Sequence, residues 1–404
     1  MGREIDSGYA WFRLAISILL SALGGVGMWS VVVALPAVQA EFGVARGGAS
    51  LPFTLTTIGF GVGGVLMGKI SDRFGIVVPV LFGAGALGAG YVLAAMASSL
   101  SQFALAYGLL IGTLGSASTF VPLMADISKW FERRRGIAVA LCASGNYIAG
   151  AFWPPLVGLL IQTLGWRTAH LWIGAICVVL MVPLTLLLRA PAPVRGSNAQ
   201  PLPSRFPRAA NLRPSTLQVL LAVAGLACCV AMSMPQVHIV AYCGDLGYGV
   251  ANGARMLSLM MGFGIISRVA SGFVADRVGG MMTLAIGSAA QMTALALYLT
   301  SDGLVSLYVI SALFGLFQGG LVPSYAIVIR ENFPASEAGT RVGFVMMMTL
   351  LGMALGGWMS GAIFDLTGSY RAAFANGVAW NALNLAIAMF LLTRGRDRSL
   401  LSTV

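Results

Sequence analysis

GKISDRFG, residues 68–75, and GFVADRVG, residues 272–279, are the two stretches from which the fold can be read. Both follow the pattern G-x-x-x-D-R-x-G, and they stand 204 residues apart in a chain of 404. Each sets an acid beside an arginine directly after a long apolar run, in a chain with only 9% charged residues. A water-soluble domain carries about 25% charged residues. With 58% hydrophobic residues and a mean hydropathy of +0.88, this chain cannot cover a water-facing surface, and a membrane protein follows.

Working outward from the two motifs, twelve apolar segments reach membrane-spanning length. They are 13–38, 50–69, 77–97, 101–124, 136–160, 168–188, 216–242, 253–275, 281–299, 304–328, 339–363 and 372–393. Barrel strands are near ten residues long and alternate. These runs are longer and apolar on every side, so the expected class is all-α. The 52 glycines suit close packing of membrane helices. Glu4 and Asp6 precede the first segment, which is too long for a cleaved signal peptide and leads into further spans. Cys142, Cys177, Cys228, Cys229 and Cys243 show no metal-like spacing and read as small packing residues; no metal or cofactor is expected.

Of the 24 lysines and arginines, nineteen fall on one side of the twelve segments, four on the other, and Arg268 lies inside the eighth. The positive-inside rule then predicts both termini in the cytoplasm and, with no targeting segment or long loop, a bacterial inner (plasma) membrane. The net charge of +11 has the same origin, and no separate basic cluster suggests nucleic acid.

The 204-residue offset recurs. Arg167 in GWRTAH and Arg371 in GSYRAAF are separated by the same interval, and FVP at 120–122 is matched by LVP at 321–323. The chain therefore reads as two copies of a six-helix unit, 1–189 and 216–404, joined by a polar, Pro- and Arg-rich tether at 190–215. Two parallel six-helix halves are the plan of a rocking transporter, with substrate near the midplane.

GKISDRFG resembles the signature of the loop after the second helix in the major facilitator superfamily, repeated here after the eighth, and the resemblance covers essentially the whole chain. It implies that Asp72 caps a neighbouring helix and Arg73 pairs with Asp126 at the inner end of the fourth segment, with Asp276 and Arg277 as the second copy of the gate.

Arg268 bears on the cargo. A charge inside a span costs at least about 2.5 kcal/mol unless it meets a wet cavity or a partner. It could snorkel to the nearby edge or bind an anion. None of the thirteen acids lies mid-segment, so a substrate with one negative charge suits it, and a carboxylate matches a guanidinium in two-pronged geometry.

An arginine four residues before the second motif resembles the monocarboxylate transporters and the oxalate–formate exchangers, as do KWFERRRGIAVALCASGNYIAG, 129–150, and PQVHIVAYCGDLG, 235–247. The resemblance implies Arg268 as carboxylate anchor, with Phe120, Asn146, Tyr147, His238, Phe317, Gln318, Tyr325 and Trp29 around the substrate. The exchangers' second cation is missing from GFVMMMTLLGMALGG in the eleventh segment, which disfavours dianions. The animal transporters' intramembrane Asp and Lys are replaced by Gly264 and, approximately, Ser30, leaving His238 as the titratable group for a co-transported proton.

The sequence thus predicts a secondary transporter of small monocarboxylates such as lactate or pyruvate, coupled to a proton and, as in the family, monomeric in the bilayer. The alternative is a transporter of another organic anion or amphiphile. An intramembrane enzyme would need converging His, Asp or Glu, and the chain has two histidines and no such cluster. A sensory receptor would need a signalling domain beyond the short tail. No nucleotide-binding glycine loop is present, so a gradient rather than ATP is the expected energy source.

Overall fold

The computed structural model describes residues 5–190 and 212–401 and is helical throughout these stretches. Most of the expected tether, 190–215, lies outside the described residues. Twelve helices are long and apolar enough to cross a membrane. Spans 1 to 6 are Gly8–Phe42, Arg46–Phe74, Val77–Met96, Leu100–Trp130, Arg135–Leu164 and Trp166–Leu186. Spans 7 to 12 are Pro214–Asp245, Val250–Val278, Gly280–Thr300, Leu304–Asn332, Glu337–Thr367 and Tyr370–Arg394. Most run a few residues past the apolar segments read from sequence, because helical hydrogen bonding continues into the polar turns that hydropathy leaves out.

Two compact units result, Met1–Gly196 with Val237–Met261, and Ser197–Gln236 with Gly262–Val404. The repeat would have put 237–261 wholly with the second half. The structure packs it with the first: Arg46 Nη2 is 3.1 Å from Asp245 Oδ1, and Ser258 donates to the Ala151 carbonyl.

In the first unit the end of span 6 opposite the basic side is fixed by Glu41, which accepts from the Trp166 indole and from Arg167 Nη2 at 2.6 Å. Arg167 also donates to the Ala95 carbonyl at the end of span 3, with its guanidinium stacked on Trp166. Inside the unit His170 is fully buried. Its Nδ1 lies 2.6 Å from the Trp166 carbonyl and so carries the proton, which leaves Nε2 to accept from the Tyr107 hydroxyl at 2.7 Å. Ser30 joins the same knot through Tyr91 and Tyr107.

The second unit has its own polar knot. Tyr325 donates to Asn384 Oδ1 at 2.7 Å, and Asn384 Nδ2 donates to Ser288 Oγ at 3.0 Å, linking spans 9, 10 and 12. Around it packs an apolar cluster that includes Leu221, Cys228, Leu284, Val328 and Leu391. The repeat partner of Arg167, Arg371, pairs with Asp302 in the turn after span 9.

Candidate functional site

The repeated V-P dipeptide interrupts the fourth helix of each copy. Proline has no N–H to donate and its ring crowds the carbonyl four residues back, so it opens a helix more easily than it continues one. In span 4, Ala106–Gly115 widens into a π-helical stretch, Ser116–Thr119 tightens into a 3₁₀ turn, and a new α-helix starts at Val121–Pro122. In span 10, Leu304–Gln318 ends, Gly319 and Gly320 form the joint, and Leu321–Asn332 begins. Interrupted helices at mid-membrane are where transporters of this architecture hold their cargo. Gln318 lies fourteen residues from each end of span 10, about 21 Å at 1.5 Å per residue.

Span 8 lies directly on the joint of span 10. A methyl group on Gly319 would overlap the backbone of Gly264, and one on Gly320 would overlap Ser271. Ser267 Oγ accepts from the Gly320 amide at 3.1 Å, satisfying a donor that the break set free. Arg268 is therefore bracketed along its helix by residues that touch the joint. It is half-buried and one turn beyond Gly264, about ten residues or 15 Å from the basic end of span 8.

Gln318 is fully buried and accepts at Oε1 from Gln236 Nε2 at 2.8 Å. Gln236 Oε1 and Gln318 Nε2 then have no hydrogen-bond partner among the described residues. Leaving such atoms dry costs about 1–3 kcal/mol each, and native structures rarely tolerate it without a reason. Phe317 is half-buried beside Gln318. Tyr325, expected among the substrate contacts, instead gives its hydroxyl to Asn384 in the buried knot described above.

In the first unit, Trp29 donates from its indole to the Asn146 carbonyl at 3.2 Å, and the Asn146 side-chain oxygen is buried with no hydrogen-bond partner among the described residues. Tyr147, the next residue, is buried as well. Phe120 sits at the break of span 4 with its ring 5.4 Å from that of Phe60. His238 is fully buried with Nε2 3.5 Å from Ser50 Oγ. It belongs to the first unit rather than the second.

The expected gate pairs are redrawn. Asp126 takes Arg13, not Arg73: Nε donates to Oδ2 at 2.7 Å and Nη2 to Oδ1 at 3.0 Å. Arg13 also donates to the carbonyls of Leu188 and Ala190 and lies over the Trp130 ring, so it ties the basic ends of spans 1, 4 and 6. Arg13 can do this because it sits inside the span 1 helix with its guanidinium out of water, where every donor seeks a fixed acceptor. Arg73 closes the last turn of span 2, is exposed, and stacks on Phe74. Asp72 is exposed and faces Lys129 at 3.9 Å. Asp276 and Arg277 are exposed too, and the helix start at Gly280 is met by Glu331 from span 10, at 3.0 Å. The missed residues are Arg13, Glu331 and Gln236; of these only Arg13 entered the sequence reading, and only as one of the basic residues that set the topology.

Comparison with known proteins agrees with this architecture. The family model of the Major Facilitator Superfamily matches residues 17–306 and 292–403. Monocarboxylate transporter 13 of Rattus norvegicus is 30% identical over 382 residues, covering 91% of this chain and 86% of the relative. Monocarboxylate transporter 11 of Homo sapiens is 28% identical over 386 residues, covering 91% and 80%. A bacterial homologue of the human lysosomal transporter Spinster, solved in an inward-facing, unoccupied conformation, superposes with a TM-score of 0.71 at 15% identity over 97% of this chain and 98% of that one. A nucleoside transporter does so with 0.69 at 14%, over 95% and 99%. At those identities the two structures speak for the fold alone. The chain belongs to the major facilitator superfamily. It is a multi-pass membrane transporter rather than an enzyme, related at modest identity to proteins named as monocarboxylate transporters.

Proposed function

We propose that the protein carries small monocarboxylate anions across the membrane by alternating access, with a proton, and that Arg268 holds the carboxylate. The observation that carries this is the Arg268 guanidinium, half-buried toward the middle of span 8, on the helix that packs against the joint of span 10. One fixed positive charge favours a cargo with one negative charge, and its paired N–H groups fit a carboxylate. The relatives' names support the same class of cargo. Gln318 and Phe317 accompany Arg268 in the second unit; Asn146, Tyr147, Phe120 and Trp29 are substrate-contact candidates within the first unit taken by itself. His238 is the proton candidate. The excess of basic residues puts the Arg13–Asp126 side, and both termini, in the cytoplasm of a cell bounded by this membrane. Arg13, Asp126, Asp72 and Lys129 make up the gate on that side.

The test is uptake of labelled L-lactate into proteoliposomes, with and without an inward proton gradient. The parent chain is expected to show gradient-stimulated uptake, and Arg268→Gln to lose at least about 100-fold, the worth of a desolvated charge-assisted contact near 3 kcal/mol. Uptake surviving in Arg268→Gln would sink the anchor. No lactate or pyruvate uptake by the parent would sink the cargo class and favour a larger organic anion.

A further inference from the structure

We infer that Gln236 and Gln318 form a hydroxyl-reading pair that makes the transporter select 2-hydroxy acids over the matching keto and unsubstituted acids. The inference rests on the monocarboxylate reading above and adds to it a second point of recognition.

The two carboxamides are hydrogen-bonded to each other at 2.8 Å and are at most 2% exposed. The Oε1 atom of Gln236 and the Nε2 atom of Gln318 are left without hydrogen-bond partners among the described residues. Two amide orientations keep the mutual bond, and both leave one carbonyl oxygen and one NH₂ group unused. The pair thus carries one unused acceptor and one unused donor, buried inside the second unit.

Gln318 stands where span 10 is interrupted, whereas Gln236 lies inside the continuous helix of span 7. Gln318 is the last residue before the Gly319–Gly320 joint. Gln236 follows Pro235, whose ring removes one backbone donor from span 7. The joint next to Gln318 rests on Gly264, and Arg268 lies one helical turn further, roughly 5 Å along span 8. A carboxylate at Arg268 and a substituent on the adjoining carbon are therefore read by neighbouring stretches of spans 8, 7 and 10, all within one unit.

The chemistry of the substituent follows from the two unused groups. A hydroxyl donates to the free oxygen and accepts from the free NH₂, so both are satisfied. A keto oxygen accepts from the NH₂ and leaves the amide oxygen dry. A methylene satisfies neither. A second carboxylate would face the amide oxygen with no proton to give. Sites built to bond a substrate hydroxyl reject analogues that lack it far more strongly than apolar pockets discriminate by size.

The test uses three acids of equal carbon count that differ at one carbon: labelled L-lactate, pyruvate and propionate, in proteoliposomes under an inward proton gradient. The parent is expected to have a KM for lactate about tenfold below that for pyruvate, with propionate poorer still. Gln236→Met and Gln318→Met should each reduce the lactate preference. The double variant should bring the three KM values within about twofold while propionate uptake is retained. The double variant is the one to weigh for folding, because replacing both partners of a buried hydrogen bond by apolar groups of similar shape is close to neutral. Equal KM values in the parent, a folded double variant that keeps the parent's preference, or one that loses all three acids would each overturn the inference and leave the monocarboxylate reading standing. A parent that moves none of the three acids would overturn that reading, and this inference with it.

Discussion

Spans 4 and 10 are copies of one helix, broken at the same V-P, and they finish the break differently. In span 4 two of the hydroxyls at the break turn back on their own backbone, Ser118 to the Gly115 carbonyl and Thr119 to that of Ser116, while Ser116 Oγ is buried with no partner among the described residues. The disturbance is spread over a π-helical stretch and a 3₁₀ turn. In span 10 it is confined to two glycines, the freed amide is taken by Ser267 from another span, and the residue before the joint is a glutamine with an unused NH₂. The first break turns most of its hydroxyls back on itself, and the second leaves a carboxamide donor unused next to a joint that rests on the helix carrying Arg268. The kink is present in spans 4 and 10 alike, while, among the described residues, the buried carboxamide with an unused donor stands only at the second.

The same divergence appears at the basic ends, where the effect of mutation should be largest. Arg13 and Asp126 are 1% and 8% exposed, and Arg13 has two further carbonyl acceptors. Asp126→Asn leaves a buried guanidinium without its counter-charge and is expected to cost about 3–5 kcal/mol. The corresponding contact in the second unit is a half-exposed Glu331 accepting from the Gly280 amide. Glu331→Gln keeps an accepting oxygen and loses only the attraction of a charge for a helix start, about 0.3–1 kcal/mol. Thermal melting in detergent measures both. Equal shifts would mean the two ends are held alike, against the contrast drawn here.

A smaller effect separates the two joints. Gly319→Ala drives a methyl group into the backbone of Gly264, which cannot yield without separating spans 8 and 10. Overpacking of this kind costs about 1–3 kcal/mol, and here it also displaces the helix that carries Arg268, so lactate uptake should fall more than stability does. Gly115→Ala in span 4 first meets the side chain of Leu87, which can change rotamer, and should cost less on both counts. Measuring uptake against melting for the two variants sharpens the comparison; a larger uptake loss from Gly115→Ala would reverse it.

These contrasts mark what a sequence can carry. Twelve spans were legible because hydropathy alone marks which segments are apolar and long enough to cross a membrane. The repeat was legible because the two copies keep G-x-x-x-D-R-x-G and an arginine 204 residues apart and V-P at nearly the same interval, 201. Pairings were harder. Arg13 lies 113 residues from Asp126 and looks like any other topology-setting charge, whereas Arg73 belongs to a known signature and attracted the assignment. Gln236 and Gln318 lie 82 residues apart in helices whose rotation no local pattern specifies. His238 falls in the second repeat by sequence but packs with Ser50, a contact that depends on the tertiary course of span 7. In each case the period of the chain was visible and the partner across space was not.

The gentlest test concerns the repeated arginines on the side opposite the basic ends. Arg371 pairs with Asp302 and both are largely exposed, 56% and 39%. An exposed ion pair is worth about 0–1 kcal/mol and is screened by salt. Arg167 has the same position in the first copy but more to hold. It bonds Glu41, donates to the Ala95 carbonyl at 2.5 Å and stacks on Trp166, whose indole bonds the same Glu41. The carbonyl contact and the stacking do not depend on long-range attraction, so salt should not remove them. Arg167→Gln is therefore expected to cost about 1–2 kcal/mol and to keep most of that cost in 0.5 M salt, a concentration at which the Debye length is about 4 Å. Arg371→Gln should cost less, and nothing measurable at that salt. Melting curves of both variants at low and high salt distinguish a shared relic of duplication from a brace that only the first unit still uses.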